Sequence, residues 1–141
     1  MKQEDKDLIL KDLCARLPYG VQMNHIADNE VSPITLIGID RDYLILQGKG
    51  GYSYVSVEHY KPYLFPLSSM TKEQEKELEE LGLGYYVTSQ DIDDEGYMWD
   101  EKIFQMIPCT ETDDWINANH FDYRCLIEKS LALDATGKNI Y

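Results

Sequence analysis

In DKDLILKDLCARLPYG, Leu8, Ile9, Leu13 and Leu17 recur close to the spacing of one helical face, and Asp5 and Asp7 stand where the N-terminal end of a helix dipole favours negative charge. This predicts a first helix ending near Leu17, because Pro18 disfavours helical geometry in the residue before it and Gly20 supplies a flexible exit. From Val21 the period shortens to two. VQMNHI, PITLIGID, DYLILQ and YSYVSVEHY are rich in β-branched and aromatic residues, and turn-forming clusters separate them, which predicts an antiparallel meander of about four strands. Asp40-Arg41-Asp42 is a tight link within it, and the glycines of GKGG, Gly48 to Gly51, form a link that tolerates positive φ. In the fourth strand Tyr52, Tyr54 and Ser56 share one face and Ser53, Val55 and Val57 the other, so the tyrosine face is either wet or covered by a helix.

HYKPYLFPLSS reads as an extended connection held by Pro62 and Pro66. A charged helix follows: Thr71 and Gln74 have capping-box spacing, Ser69 is a competing cap, and Gly82 is a natural terminator. Leu78 and Leu81 are its strong apolar contacts, which predicts a helix resting on the domain along one narrow edge. YYVTSQ fits a strand, DIDDEG an acidic loop, and KIFQMI either a short strand or a helical segment. TETDDWINANH predicts a helix capped by Thr110 or Thr112 with Trp115 and Ile116 inward, and the spacing of Tyr123, Leu126, Ile127 and Leu131 predicts a last helix ending by Gly137. With no internal repeat or interdomain linker, the pattern predicts one α+β domain over residues 1–141: an N-terminal helix, the meander, and C-terminal helices.

Charge narrows the partners. The 26 acidic against 13 basic side chains leave a net charge of -13, which argues against direct binding to nucleic acid or to an anionic membrane and favours a protein partner, a basic one above all. Solubility alone also accounts for such acidity. No apolar run reaches the ~20 residues of a membrane span, and MKQEDKDLIL is too acidic for a secretory signal, so the expected compartment is the cytoplasm. Cys14, Cys109 and Cys125 are widely spaced and suggest buried thiols rather than a disulfide framework or a zinc site. Oligomeric state is left open, and no cofactor is implied.

Asp91, Asp93, Glu95 and Gly96 have the start of a calcium-loop spacing. Lys102 occupies the place of the closing bidentate acid, which favours a solvated acidic turn. GKGG lacks the spacing and the following helix of a phosphate loop, which favours a hairpin. WINANHFDYRCLIE brings a His, an Asp, a Tyr, an Arg and a Cys together, yet Cys125 and His120 would point about 140° apart on a continuous helix. Structural roles suffice for these residues: His120 donating to helix-end carbonyls and complementing the dipole, Asp122 capping the next helix, and Phe121 and Tyr123 packing the corner. Tyr52, Tyr54, Tyr60 and Tyr63 lie close in sequence and suggest a protein-binding patch, with core packing as the alternative.

LKDLCARLPYGV, KPYLFPLSSMT and WINANHFDYRCLIEKSLALDA together resemble a family of short uncharacterised proteins widespread in gut-anaerobe bacterial genomes and in their phages and mobile elements. The resemblance implies no activity, ligand or catalytic residue. Family members often carry glycine where this chain has Cys125, which implies a tight place beside the last helix rather than a nucleophile. The expectation is a non-enzymatic binding or accessory protein of bacterial or mobile-element origin, in one version occupying a basic nucleic-acid-binding surface by charge mimicry. The alternative is a small-ligand binder or enzyme with a cleft between the meander and the C-terminal helices, lined by His59, His120, Asp122, Tyr123 and Arg124.

Overall fold

The structure is a computed structural model and describes residues 1–28, 31–78, 80–81 and 110–141, with side chains from 113 onward in the last segment. Helix α1 spans Gln3–Arg16 and passes into a 3-10 turn at Leu17–Tyr19, where Pro18 is accepted because its missing N–H falls in a first turn. Gly20, at φ 67, then turns the chain into the sheet.

Strands β1 (Gln22–His25), β2 (Ile34–Asp40), β3 (Tyr43–Gly48) and β4 (Gly51–Ser56) form the antiparallel meander, in the order β4-β3-β2-β1. The fold is α+β, as the periodicity predicts. One inner face carries Met23, Leu36, Leu44, Leu46 and Val57, and Ile9 and Leu13 of α1 belong to the same buried cluster. A bulge at Ile37 keeps this face apolar: Leu36 pairs with Leu46 and Gly38 with Ile45, so the extra residue resets the alternation and turns Ile39 inward beside Leu44. A Cβ at Gly38 would meet Ile45 Cδ1 at 3.1 Å, which is why a residue without a side chain stands there. Gly51 adopts φ 111 after the Lys49-Gly50 link, bearing out the positive-φ reading of that turn.

The proline-held segment is not a connection. Tyr60–Pro66 is strand β5, antiparallel to β1. The bond from Ile26 N–H to His59 O (2.9 Å) sets the ladder so that Pro62, opposite Met23, occupies a non-hydrogen-bonded position. Its missing N–H therefore costs no bond to β1. Two short strands pair parallel to β5: β6 (Phe121–Asp122) at Phe65 and Pro66, and β7 (Leu133–Asp134) at Tyr63 and Leu64.

Helix α2 (Lys72–Leu78) starts with the predicted capping box: Gln74 N–H donates to Thr71 Oγ1 (3.2 Å) and Thr71 N–H to Gln74 Oε1 (2.9 Å). Ser69 caps nothing; its hydroxyl donates back to Pro66 O. Helix α3 (Thr110–Ala118) carries Trp115, whose indole N–H reaches Glu77 of α2 at 3.1 Å. Leu78, Ile116, Phe121 and Tyr123 form a second buried cluster with Leu67.

The last helix expected through Tyr123 to Leu131 is replaced by turns. Leu126 to Lys129 make one helical turn, closed when Ser130 N–H donates to Ile127 O (3.0 Å) and Leu131 N–H to Leu126 O (2.8 Å), with Ser130 at φ 60. That is the Schellman arrangement, and its usual hydrophobic contact is provided by Leu126 and Leu131, both in the core. The apolar spacing that reads as a helical stripe here buries the two ends of a single turn.

Candidate functional site

The residues singled out from sequence fall into three places. Tyr52 and Tyr54 lie on the outer face of β4, 73% and 57% exposed, and Tyr43 of β3 joins them at 46%. The Tyr54 ring stacks on Tyr43 at 5.0 Å between centroids, and its hydroxyl donates to Asp40 Oδ2 at 2.6 Å. Accepting from that hydroxyl, the Asp40 carboxylate holds the Tyr54 phenol above its ordinary pKa. The face predicted as wet or covered is wet. Tyr43 went unremarked in the sequence, although the short Arg41-Asp42 link necessarily sets its strand beside the one bearing Tyr54.

His59 and Tyr60 make a second group, around His25. The His25 ring stacks on His59 at 6.2 Å and meets Tyr60 edge-on at 5.1 Å. Beside them the β3–β4 turn and the ends of β1 and β2 enclose a groove of about 510 Å³, with His25, Asp28, Lys49, Tyr52 and Tyr60 among its lining. Tyr63, the fourth predicted tyrosine, is buried in β5, and burial raises its hydroxyl above the ordinary pKa.

The third group is the corner His120-Phe121-Asp122-Tyr123-Arg124, and it turns inward onto α1. Asp12 and Arg16 are one helical turn apart and fully buried. Arg16 Nε donates to Asp12 Oδ2 at 2.7 Å; its Nη2 donates to Asp12 Oδ1 at 3.1 Å and to Phe121 O at 2.6 Å. Arg124 Nε lies 3.2 Å from Asp12 Oδ1, an ion pair by distance that lacks hydrogen-bond alignment. Both guanidiniums lie over the Tyr123 ring, at 5.4 Å and 4.8 Å, and Arg124 Nη2 donates to the Tyr123 hydroxyl at 2.9 Å. Asp122 accepts from Leu126 N–H and Ile127 N–H, each at 2.9 Å; burial raises its pKa, and those two bonds oppose the shift. It is a cap, as expected, but of a single turn.

His120 departs from expectation. Burial, and then the charge of Arg16, lower its pKa to about 4, so it is neutral near pH 7 and does not complement a helix dipole as a cation. It sits at φ 62 with its ring stacked 3.6 Å from that of Tyr141, and its Nδ1 has no hydrogen-bond partner among the described residues. Arg16 Nη1 and Asn117 Oδ1 are likewise buried without a partner. The Tyr141 hydroxyl accepts from Gln22 N–H and donates to Tyr63 O, both at 2.8 Å. The residue as a whole is 44% exposed, yet its hydroxyl end is enclosed, and burial pushes that phenol up to about 12.

Sequence reasoning missed Asp12, Arg16 and Tyr141. A signal existed for the first two: Ile9, Asp12, Leu13 and Arg16 fall on one helical stripe, so an acid and an arginine share the face that buries Ile9 and Leu13. His59 stands apart from the corner, because it precedes the first residue of β5 whereas Phe121 pairs with Phe65 near the end, roughly 20 Å along the chain at the rise of a strand.

Cys125 adopts φ 59, a conformation that glycine takes without strain. Asp91, Asp93, Glu95 and Cys109 lie outside the described residues, as do YYVTSQ, KIFQMI and Gly82, and so do the side chains of Thr110 and Thr112. Among the described residues no group of three or more His, Cys, Asp or Glu is placed to hold a metal ion, and no helix is long and apolar enough to cross a membrane.

The fold is α+β, and among the described residues the Asp12–Arg16 cluster is internal while Tyr43, Tyr52 and Tyr54 face outward. Comparison with protein-family models, with curated proteins and with solved structures returns no match.

Proposed function

We propose that the protein is a non-enzymatic binding protein that engages a basic protein partner through Tyr43, Tyr52 and Tyr54. The observation that carries this is the exposure of three tyrosines on paired strands, on the sheet face opposite the core. Tyrosine supplies large contact area at low entropic cost, and the net charge of -13 favours a cationic partner. The inward bonding of Asp122, Tyr123 and Arg124 removes most of the polar lining that a catalytic cleft at the corner requires.

The test is recovery of partners from the host with the tagged protein, wild type against Tyr52→Ser/Tyr54→Ser. A basic protein kept by the first and lost by an equally stable variant supports the reading. Equal recovery, or an acidic partner, overturns it.

A ligand-binding alternative rests on the groove beside Lys49. It requires chemical-shift changes confined to His25 and Tyr60 when the protein is titrated with a small-molecule library.

A further inference from the structure

We propose that β4 is a strand-addition edge, at which an extended basic segment of a protein partner bonds to the outward backbone groups of Tyr52, Tyr54 and Ser56. This deepens the binding reading above and rests on it. Val57 N–H donates to Asp42 O at 2.9 Å, and the register runs without a break from Tyr43↔Ser56 to Gly48↔Gly51. In an antiparallel ladder hydrogen-bonded pairs alternate with non-bonded ones, so the bonded pairs are Leu44–Val55, Leu46–Ser53 and Gly48–Gly51. The N–H and C=O groups of Tyr52, Tyr54 and Ser56 therefore point away from β3.

Among the described residues β4 pairs with β3 alone and ends the strand order. Edge strands are ordinarily blunted by lysine, proline, an inward charge or a bulge. Gly-Tyr-Ser-Tyr-Val-Ser has none of these, and the one bulge of the meander lies in β2. An added strand would set alternate side chains about 5 Å from Tyr52 and Tyr54, so the open backbone and the tyrosine face would be read together.

Charge selects the occupant. A second copy would bring -13 against -13, and self-repulsion of that size opposes pairing of like edges. At the Ser56 end stand Asp42 and Glu58, with Asp40 in the same row two strands inward; Lys6 spans Asp42 and Glu58 at 3.6 and 3.4 Å, and Arg41 is adjacent in sequence. Three carboxylates against two cations favour a basic segment there.

The probe is a fluorescent, end-blocked octapeptide of alternating lysine and valine, with glutamate–valine and proline-interrupted counterparts. By anisotropy, the lysine peptide binds and each counterpart binds at least about tenfold more weakly. Tyr54→Pro removes an outward N–H that Tyr54→Ala retains, so the proline variant binds about tenfold more weakly than the alanine variant. Tyr52→Pro against Tyr52→Ala repeats the comparison if Tyr54→Pro fails to fold. Amide exchange in the wild type needs no variant: Ser53 and Val55 are slow in the free protein, and Tyr52 and Tyr54 become slow only with peptide.

Equal binding of the proline and alanine variants, both weaker than wild type, overturns the edge while sparing the tyrosine face. Unchanged binding in all variants overturns both. No binding of the lysine peptide, equal binding of the glutamate peptide, or a dimer abolished by Tyr54→Pro overturns the occupant proposed here.

Discussion

Arg16 grips Asp12 through two nitrogens, at 2.7 and 3.1 Å, with neither side chain exposed to solvent. Two ions taken out of water cost more than their mutual attraction returns unless other bonds help. Here the Phe121 carbonyl accepts from Arg16, and Arg124 approaches the far oxygen of Asp12. The pair thereby fixes where the chain after α3 meets α1.

Removing one partner leaves the other charge buried. Arg16→Met is expected to cost about 3–5 kcal/mol, whereas Asp12→Leu/Arg16→Met, which removes both charges, recovers most of that loss. Urea denaturation of the two variants and wild type is the measurement. A double variant as unstable as the single one would mean that the pair contributes through packing rather than charge.

The Asp122 carboxylate serves two backbone N–H groups that have no other acceptor in their turn. Asp122→Ala strands both and is expected to destabilise by about 1–3 kcal/mol, with peptide binding at β4 unchanged once the variant is folded. Loss of binding in a fully stable Asp122→Ala protein would place the corner in the functional surface.

His120 makes stability depend on pH in a defined window. Its folded pKa, about 4, lies below the ordinary 6.5, so at pH 7 the imidazole is neutral in both states and imposes no cost. As pH falls through 6.5 the unfolded chain takes up a proton and the folded one does not. Stability drops until about pH 4, by about 3 kcal/mol in total. His120→Phe keeps a ring on Tyr141 and removes the titration. Its denaturation midpoint is expected to vary less than that of wild type between pH 6.5 and 4.5.

Ser130 holds the left-handed position of its Schellman turn at φ 60 and is exposed. Relieving that strain with Ser130→Gly is expected to raise stability by up to about 1 kcal/mol, after the greater freedom glycine gives the unfolded chain is subtracted. A lowered melting temperature would show that the Ser130 side chain contributes more than its backbone costs.

The elements legible in the sequence are those whose signals are local. α1, the four meander strands and the Thr71–Gln74 box each rest on residues within a few positions of one another. β5 was illegible because proline argues against a strand, and only the phase of the β1 ladder shows Pro62 at a position that needs no N–H. The final helix was misread because apolar residues recurring every four or five positions, such as Leu126, Ile127 and Leu131, suit both a helix and a lone turn with an apolar residue at each end. At the candidate site, the tyrosine face of β4 follows from alternation alone. The inward turn of Arg124 depends on Asp12, a contact that no local rule anticipates.

The Tyr141 hydroxyl stands where the ladder phase places a direct bond between Gln22 N–H and Tyr63 O, taking one and giving the other. A rung between β1 and β5 is thus made by a side chain 119 positions beyond the first of its two partners. During synthesis the meander can form early, but this rung waits for residue 141 to emerge. Removing the Tyr141 side chain is therefore like drawing a stitch from the middle of the sheet.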